Sequence, residues 1–110
     1  MTNYTVDRSK WAQMNIFEQM GNIYSEVGRS FNAKRLGQLE RKNQATTRAI
    51  DLFDATLDDL TKKKSVRSRE VLTAKNEFLN NINNKEFNEK DTASLDKYFL
   101  EFAIVARRFR

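Results

Sequence analysis

The sequence predicts an all-α protein, an antiparallel up-down-up-down four-helix bundle with a short N-terminal arm. Apolar residues recur at three- and four-residue spacings through four successive stretches, the period of helices buried along one side. The 110 residues contain no proline and only three glycines, too few for the many tight turns of an all-β sandwich. Chain length sets a single domain, because two cores would each be too small to fold alone. Residues 1–14 read as the arm and residues 15–110 as the bundle domain.

The first helix starts at Asn15, where Asn15 and Glu18 fit a capping box. Phe17, Met20, Ile23, Tyr24, Val27 and Phe31 form its apolar stripe, and Gly37 ends it as a C-cap. Trp11 and Met14 read as a short arm or helical turn laid against the bundle. A second helix, from about Gln38 to Leu60, turns Leu39, Thr46, Ala49, Ile50, Phe53, Leu57 and Leu60 inward. After the break at Thr61–Lys64, Ser65 is the expected N-cap of a third helix whose inward residues are Val66, Val71, Leu72, Ala74, Phe78, Leu79 and Ile82. The asparagine-rich run at 80–84 ends it, since asparagine competes for backbone hydrogen bonds and tolerates left-handed geometry. Phe87 is expected to tack the next loop to the core. Asp91 or Thr92 caps a fourth helix carrying Leu95, Tyr98, Phe99, Phe102, Val105, Ala106 and Phe109.

Composition removes much chemistry. Without cysteine or histidine there is no disulfide framework, thiol nucleophile, imidazole base or ordinary structural zinc site. Asp51, Asp54 and Asp58 share one side of the second helix, and Glu18 and Glu26 decorate the first. All fall off the apolar stripes, so they are expected in water, without the tuning that acid–base catalysis needs. The reading is of a protein that is not an enzyme, with no cofactor and no metal. The first ten residues lack the apolar stretch of a secretory signal, and 95–109 is too short and too charged to span a bilayer. A cytoplasmic protein with no membrane partner is expected.

Twenty Lys and Arg against fifteen Asp and Glu give a net charge of +5, which favours a polyanion or an acidic protein surface as partner. In an up-down topology the start of the third helix and the end of the fourth share a pole. Lys62, Lys63, Lys64, Arg67, Arg69, Arg107, Arg108 and Arg110 would gather there, joined by Arg8 and Lys10 of the arm. Phosphates bind such surfaces by ion pairing and counterion release. These eight residues of the helical domain are the candidate nucleic-acid contacts, and reversing Lys63, Arg67 and Arg108 together is expected to abolish binding. The opposite pole, with Lys34, Arg35, Arg41 and Lys42 set against Glu86, Glu89 and Asp91, reads as near-neutral and structural.

A second surface follows from excess greasiness. Leu100 and Ile104, with Ala103, lie off the inward stripe of the fourth helix, and Gly21, Ser25 and Gly28 form a small-residue strip on the first. Two glycines inside a helix weaken it by roughly 0.5–1 kcal/mol each relative to alanine, which implies a packing reason. Gly21, Ser25, Gly28, Leu100 and Ile104 are the expected oligomer or partner interface.

Three segments carry a resemblance: Glu18-Gln19-Met20-Gly21-Asn22-Ile23-Tyr24-Ser25-Glu26-Val27-Gly28-Arg29, Arg48-Ala49-Ile50-Asp51-Leu52-Phe53-Asp54 and Lys97-Tyr98-Phe99-Leu100-Glu101-Phe102-Ala103. With them, nearly the whole chain resembles a set of small bacterial four-helix-bundle proteins. Some of these are encoded beside the reverse transcriptases of diversity-generating retroelements and look like counterparts of the accessory variability determinant. That protein is a basic four-helix bundle forming a ring-like oligomer that binds the reverse transcriptase and its RNA. The shared motifs are packing motifs, so the resemblance implies a nucleoprotein accessory role without assigning any residue.

The resulting expectation is a non-enzymatic, basic accessory protein that oligomerises and binds RNA or DNA, or a nucleic-acid enzyme such as a reverse transcriptase. The alternative is a protein-binding or scaffold module, antitoxin-like, with no nucleic-acid binding.

Overall fold

Five helices account for nearly all of the chain that the computed structural model describes, residues 6–84 and 89–108; at 89, 91, 103 and 105–108 the description covers the backbone alone. Helix α1 spans Arg8–Gln13, α2 Ile16–Arg35, α3 Leu39–Lys62, α4 Ser68–Asn83 and α5 Glu89–Arg108. The described residues contain no strand, and the class is all-α as expected.

The N-terminal segment carries a helix of its own. Asp7 caps it by accepting from the amides of Ser9 and Lys10 at 3.0 and 3.2 Å, and Trp11 is its one buried residue. At α2 the Asn15 half of the capping box forms, with the Glu18 amide donating to Asn15 Oδ1 at 2.9 Å. Gly37, at φ 69°, ends α2 in a left-handed C-cap. The Gln38 amide reaches back to the Ala33 carbonyl at 2.9 Å and the Gly37 amide to the Lys34 carbonyl at 3.1 Å, the paired bonds of a Schellman motif.

Two expected boundaries move. Ser65 does not cap α4: its hydroxyl accepts from the Arg67 amide at 3.2 Å within the preceding turn, and the helix begins at Ser68. Helix α5 starts at Glu89, before Asp91 and Thr92. Buried Thr92 belongs to the helix body rather than to a cap.

One phenylalanine from each long helix meets in the core. Phe31 of α2 stands edge-on to Phe78 of α4 with ring centres 5.6 Å apart. Phe53 of α3 lies 6.1 Å from Phe78 and 5.9 Å from Phe99 of α5. All four rings are buried, and such offset and edge-on pairs add about 0.5–1.5 kcal/mol each beyond their area. Cross-helix pairs fix the directions. Gln19 lies beside Asp59 and Glu26 beside Arg48, so α2 and α3 run antiparallel. Phe17 with Phe102 and Tyr24 with Phe99 do the same for α2 and α5, as do Asp54 with Lys75 and Phe53 with Phe78 for α3 and α4.

The inward stripes need correction at their ends. Val66 is 92% exposed, and Leu39 and Leu72 also face solvent. Val66 sits in the turn before α4, and Leu39 opens α3 beyond the reach of its neighbours. Conversely, α3 buries Ala45, Leu52, Ala55, Thr56 and Asp59 off its expected stripe, because α1 covers the C-terminal half of the helix on a further side while Ala45 lies beside Ala33 of α2. Phe87 and Phe109 lie outside the described residues, as do the side chains of Val105 and Ala106.

Candidate nucleic-acid interface

The α3–α4 connection builds the basic pole. After Lys62 the chain closes a second Schellman motif, with the Ser65 amide on the Leu60 carbonyl at 2.9 Å and the Lys64 amide on the Thr61 carbonyl at 3.1 Å. The left-handed position of this motif holds Lys64, at φ 52°, the one positive-φ residue besides glycine among the described residues. A side chain there is strained by about 1–2 kcal/mol relative to right-handed backbone. The turn thrusts Lys62, Lys64 and Arg69 into solvent, where none of them has an acidic partner among the described residues.

Three of the other predicted cations are engaged, whereas Lys10 is exposed with no ion pair among the described residues. Lys63 Nζ binds Asp59 Oδ2 at 2.9 Å and points toward the Ala12 carbonyl at 3.5 Å. Arg8 binds Asp58 at 2.7 Å and Asp51 at 3.6 Å. Arg67 lies 3.7 Å from Glu70, with its guanidinium 5.9 Å from the Phe17 ring centre and 5.5 Å from that of Phe102. Only the carboxylates that hold Arg8 come from another helix; Lys63 with Asp59 and Arg67 with Glu70 are i,i+4 and i,i+3 pairs whose spacing is visible in the sequence. The side chains of Arg107 and Arg108, and the whole of Arg110, lie outside the described residues.

Beside Arg67 is a cleft of about 190 Å³ lined by Phe17, Arg67, Glu70, Tyr98, Glu101 and Phe102. Tyr98 donates its hydroxyl to Glu70 Oε1 at 2.9 Å. Burial, then the Glu70 hydrogen bond and charge, push this phenol above its ordinary value of 10.0. The pole therefore combines free ammonium groups with half-buried aromatic faces.

Underneath, a buried polar network pins α1 to α2 and α3. Trp11 Nε1 donates to Thr56 Oγ1 at 2.8 Å, and Gln19 Nε2 donates to the Trp11 carbonyl at 2.9 Å and to Asp59 Oδ2 at 3.1 Å. Gln19 Oε1 accepts nothing. Lys63 is thus part of the structure that carries the pole rather than of its free surface.

The carboxylates expected in water are largely held in ion pairs. Glu26, only 8% exposed, bridges Arg29 at 2.5 Å and Arg48 at 2.8 Å; Asp54 binds Lys75 at 2.7 Å. The sequence placed Glu26 on a solvated side because α3 is what covers it. Among the described residues no three Asp or Glu side chains are grouped to hold a metal ion, and no helix is long and apolar enough to cross a membrane.

The second predicted surface lies on the two helices that meet at Tyr24 and Phe99. Gly21, Ser25 and Gly28 follow Phe17 and Tyr24 round α2, and Leu100 and Ile104 follow Phe99 round α5, so the helical period sets both sets on the outer side of one α2–α5 seam. Leu100 and Ile104 are 46% and 42% exposed, and a methyl group added at Gly21 or Gly28 would meet nothing within 4 Å. Close packing inside this chain therefore does not require the glycines.

At the opposite pole, Lys34 donates to the Asn81 and Asn84 carbonyls at 2.7 and 2.6 Å, satisfying the C-terminus of α4. Burial, and then neighbouring Lys42, lower its pKa. This pole also holds an arginine-lined cavity that the sequence reading missed, because its residues are split between α2 and α3. Of the acids expected to neutralise it, Glu86 and the side chains of Glu89 and Asp91 lie outside the described residues.

No protein-family model, curated protein or solved structure matches the chain.

Proposed function

We propose that this chain is a non-enzymatic accessory protein that binds single-stranded nucleic acid through the pole formed by the α3–α4 connection. In this reading α2–α5 make an up-down-up-down four-helix bundle, residues 1–14 form its arm, and the setting is cytoplasmic. The supporting observation is Lys64: a lysine occupies a left-handed turn position where glycine is cheaper, and its charge stands free beside Lys62 and Arg69. Local strain kept at an exposed position is typical of functional sites. The free contact set narrows to Lys62, Lys64 and Arg69, with Arg67 and the half-buried Phe17 and Tyr98 rings of the cleft offering a stacking surface for unpaired bases. Arg107, Arg108 and Arg110 stay in the proposal as further phosphate contacts. A nucleic-acid enzyme, such as a reverse transcriptase, fits as the partner that shares the bound strand.

The test is fluorescence anisotropy with a labelled single-stranded RNA across a salt series. Lys62, Lys64 and Arg69 alone predict a log–log slope of about −2, and the three further arginines bring it to about −4. The triple variant Lys62→Glu, Lys64→Glu, Arg69→Glu should lose binding with an unchanged melting temperature, as none of the three has an acidic partner among the described residues. Reversing Lys63 or Arg67 instead would confuse binding with unfolding. Equal affinity in the triple variant refutes the assignment.

A protein-docking reading is favoured by one separate observation, the half-exposed Leu100 and Ile104 beside the open Gly21–Gly28 strip. Self-association through this seam is compatible with the first reading. Used alone, it makes the chain a scaffold module, distinguished by capture of a protein that survives high salt with no nucleic acid retained.

A further inference from the structure

The cavity at the α2–α3 pole has the chemistry of an oxyanion site. It encloses about 280 Å³ and is lined by Arg29, Asn32, Ala33, Gln38, Arg41, Gln44, Ala45 and Arg48. Three guanidinium groups and three carboxamides surround a floor of buried Ala33 and Ala45, and no carboxylate lines the wall. Like charges this close repel, so something must hold them together. Glu26 does so from below: its two oxygens take Arg29 NH1 at 2.5 Å and Arg48 Nε at 2.8 Å. Each of these arginines spends one donor on Glu26 and keeps the rest of its five-donor fork. Arg41 is exposed and has no ion pair among the described residues. The single glutamate leaves two positive charges uncompensated, which matches a phosphate near neutral pH.

We infer that this cavity binds a phosphate group, with Arg41 as its free clamp and Arg29 and Arg48 as donors pre-set by Glu26. Fixing two guanidiniums before the ligand arrives removes most of the ordering that a flexible pair would need. Gln38, Asn32 and Gln44 can donate to the remaining oxygens. The site stands apart from Lys62, Lys64 and Arg69, so it holds whether or not the nucleic-acid reading does. A phosphate could come from a nucleic-acid backbone or from a small phosphorylated molecule.

The experiment titrates ¹⁵N-labelled protein with inorganic phosphate at constant ionic strength. The amides of Asn32, Gln38, Arg41 and Gln44 should shift along a saturating curve. Arg41→Gln should weaken binding about tenfold or more, the loss of one charge-assisted contact, without changing the melting temperature. Gln44→Ala should weaken it less, and Lys62→Glu with Lys64→Glu should leave it unchanged. A single-stranded oligonucleotide that displaces the phosphate identifies a backbone source; one that binds only at the other pole while phosphate stays identifies a small molecule. Linear, non-saturating shifts, or equal affinity in Arg41→Gln, overturn the inference.

Discussion

Lys64 shows what a single residue reveals here. Its backbone sits at φ 52° with its carbonyl-capping bonds intact, so glycine would fit the same turn with less strain. Lys64→Gly should raise stability by up to about 1 kcal/mol, read as a higher melting temperature, while weakening RNA binding. A drop in both would show that the lysine side chain itself supports the turn. Tyr98 gives a pH-dependent counterpart. Its phenol is harder to ionise in the folded chain than in the unfolded one. That contribution to stability is fully present below pH 10.0, the unfolded value, and is lost as pH rises from there through the higher folded value. Wild type should therefore lose melting temperature more steeply than Tyr98→Phe as pH rises above 10.0. Parallel curves would contradict the burial argument.

At the scale of elements, α1 is held by few but costly groups. Trp11 is 5% exposed and its indole N–H satisfies buried Thr56. Trp11→Phe should keep most of the apolar burial and leave Thr56 unpaired, costing about 1–3 kcal/mol. Trp11→Ala should cost about 3–5 kcal/mol. Chemical denaturation measures both, and a negligible cost for Trp11→Phe would mean that the hydrogen bond contributes little. The α2–α5 seam makes an opposite prediction. Gly28 lies mid-helix with open space about its Cα, so Gly28→Ala should stabilise an isolated chain by about 0.5–1 kcal/mol. If the seam joins two copies, the same change should weaken self-association in sedimentation analysis. Stabilisation with unchanged association removes Gly28 from any interface.

Much of this scale was legible in sequence. Asn15 and Gly37 mark helix ends by local chemistry, and the Phe17–Phe31 stripe has one period throughout, so both survive in three dimensions. Ser65 and Asp91 failed as caps because the competing signals, a lysine-capped turn and an acidic first turn, are also local and equally short. Val66 and Leu72 failed as core residues because apolarity alone does not say whether a neighbouring helix is there to cover them.

Over the whole molecule, the sequence gathers cations at a pole and offers local carboxylates for two of them, but only the folded chain shows which pairs form. Lys63 and Arg67 are neutralised by Asp59 and Glu70, whereas Lys62, Lys64 and Arg69 are not. The arginine cavity was invisible for the related reason that Arg29, Arg41 and Arg48 meet only once α2 and α3 pack. Cations therefore gather at two poles, one with exposed ammonium groups, the other preset by a buried carboxylate. Titrating ¹⁵N-labelled protein with a short single-stranded RNA at low salt asks directly which surface holds the strand. The account predicts saturating shifts at the amides of residues 62–69, fading as salt is added. Shifts confined to the α2–α5 seam, or none at any concentration, would contradict it.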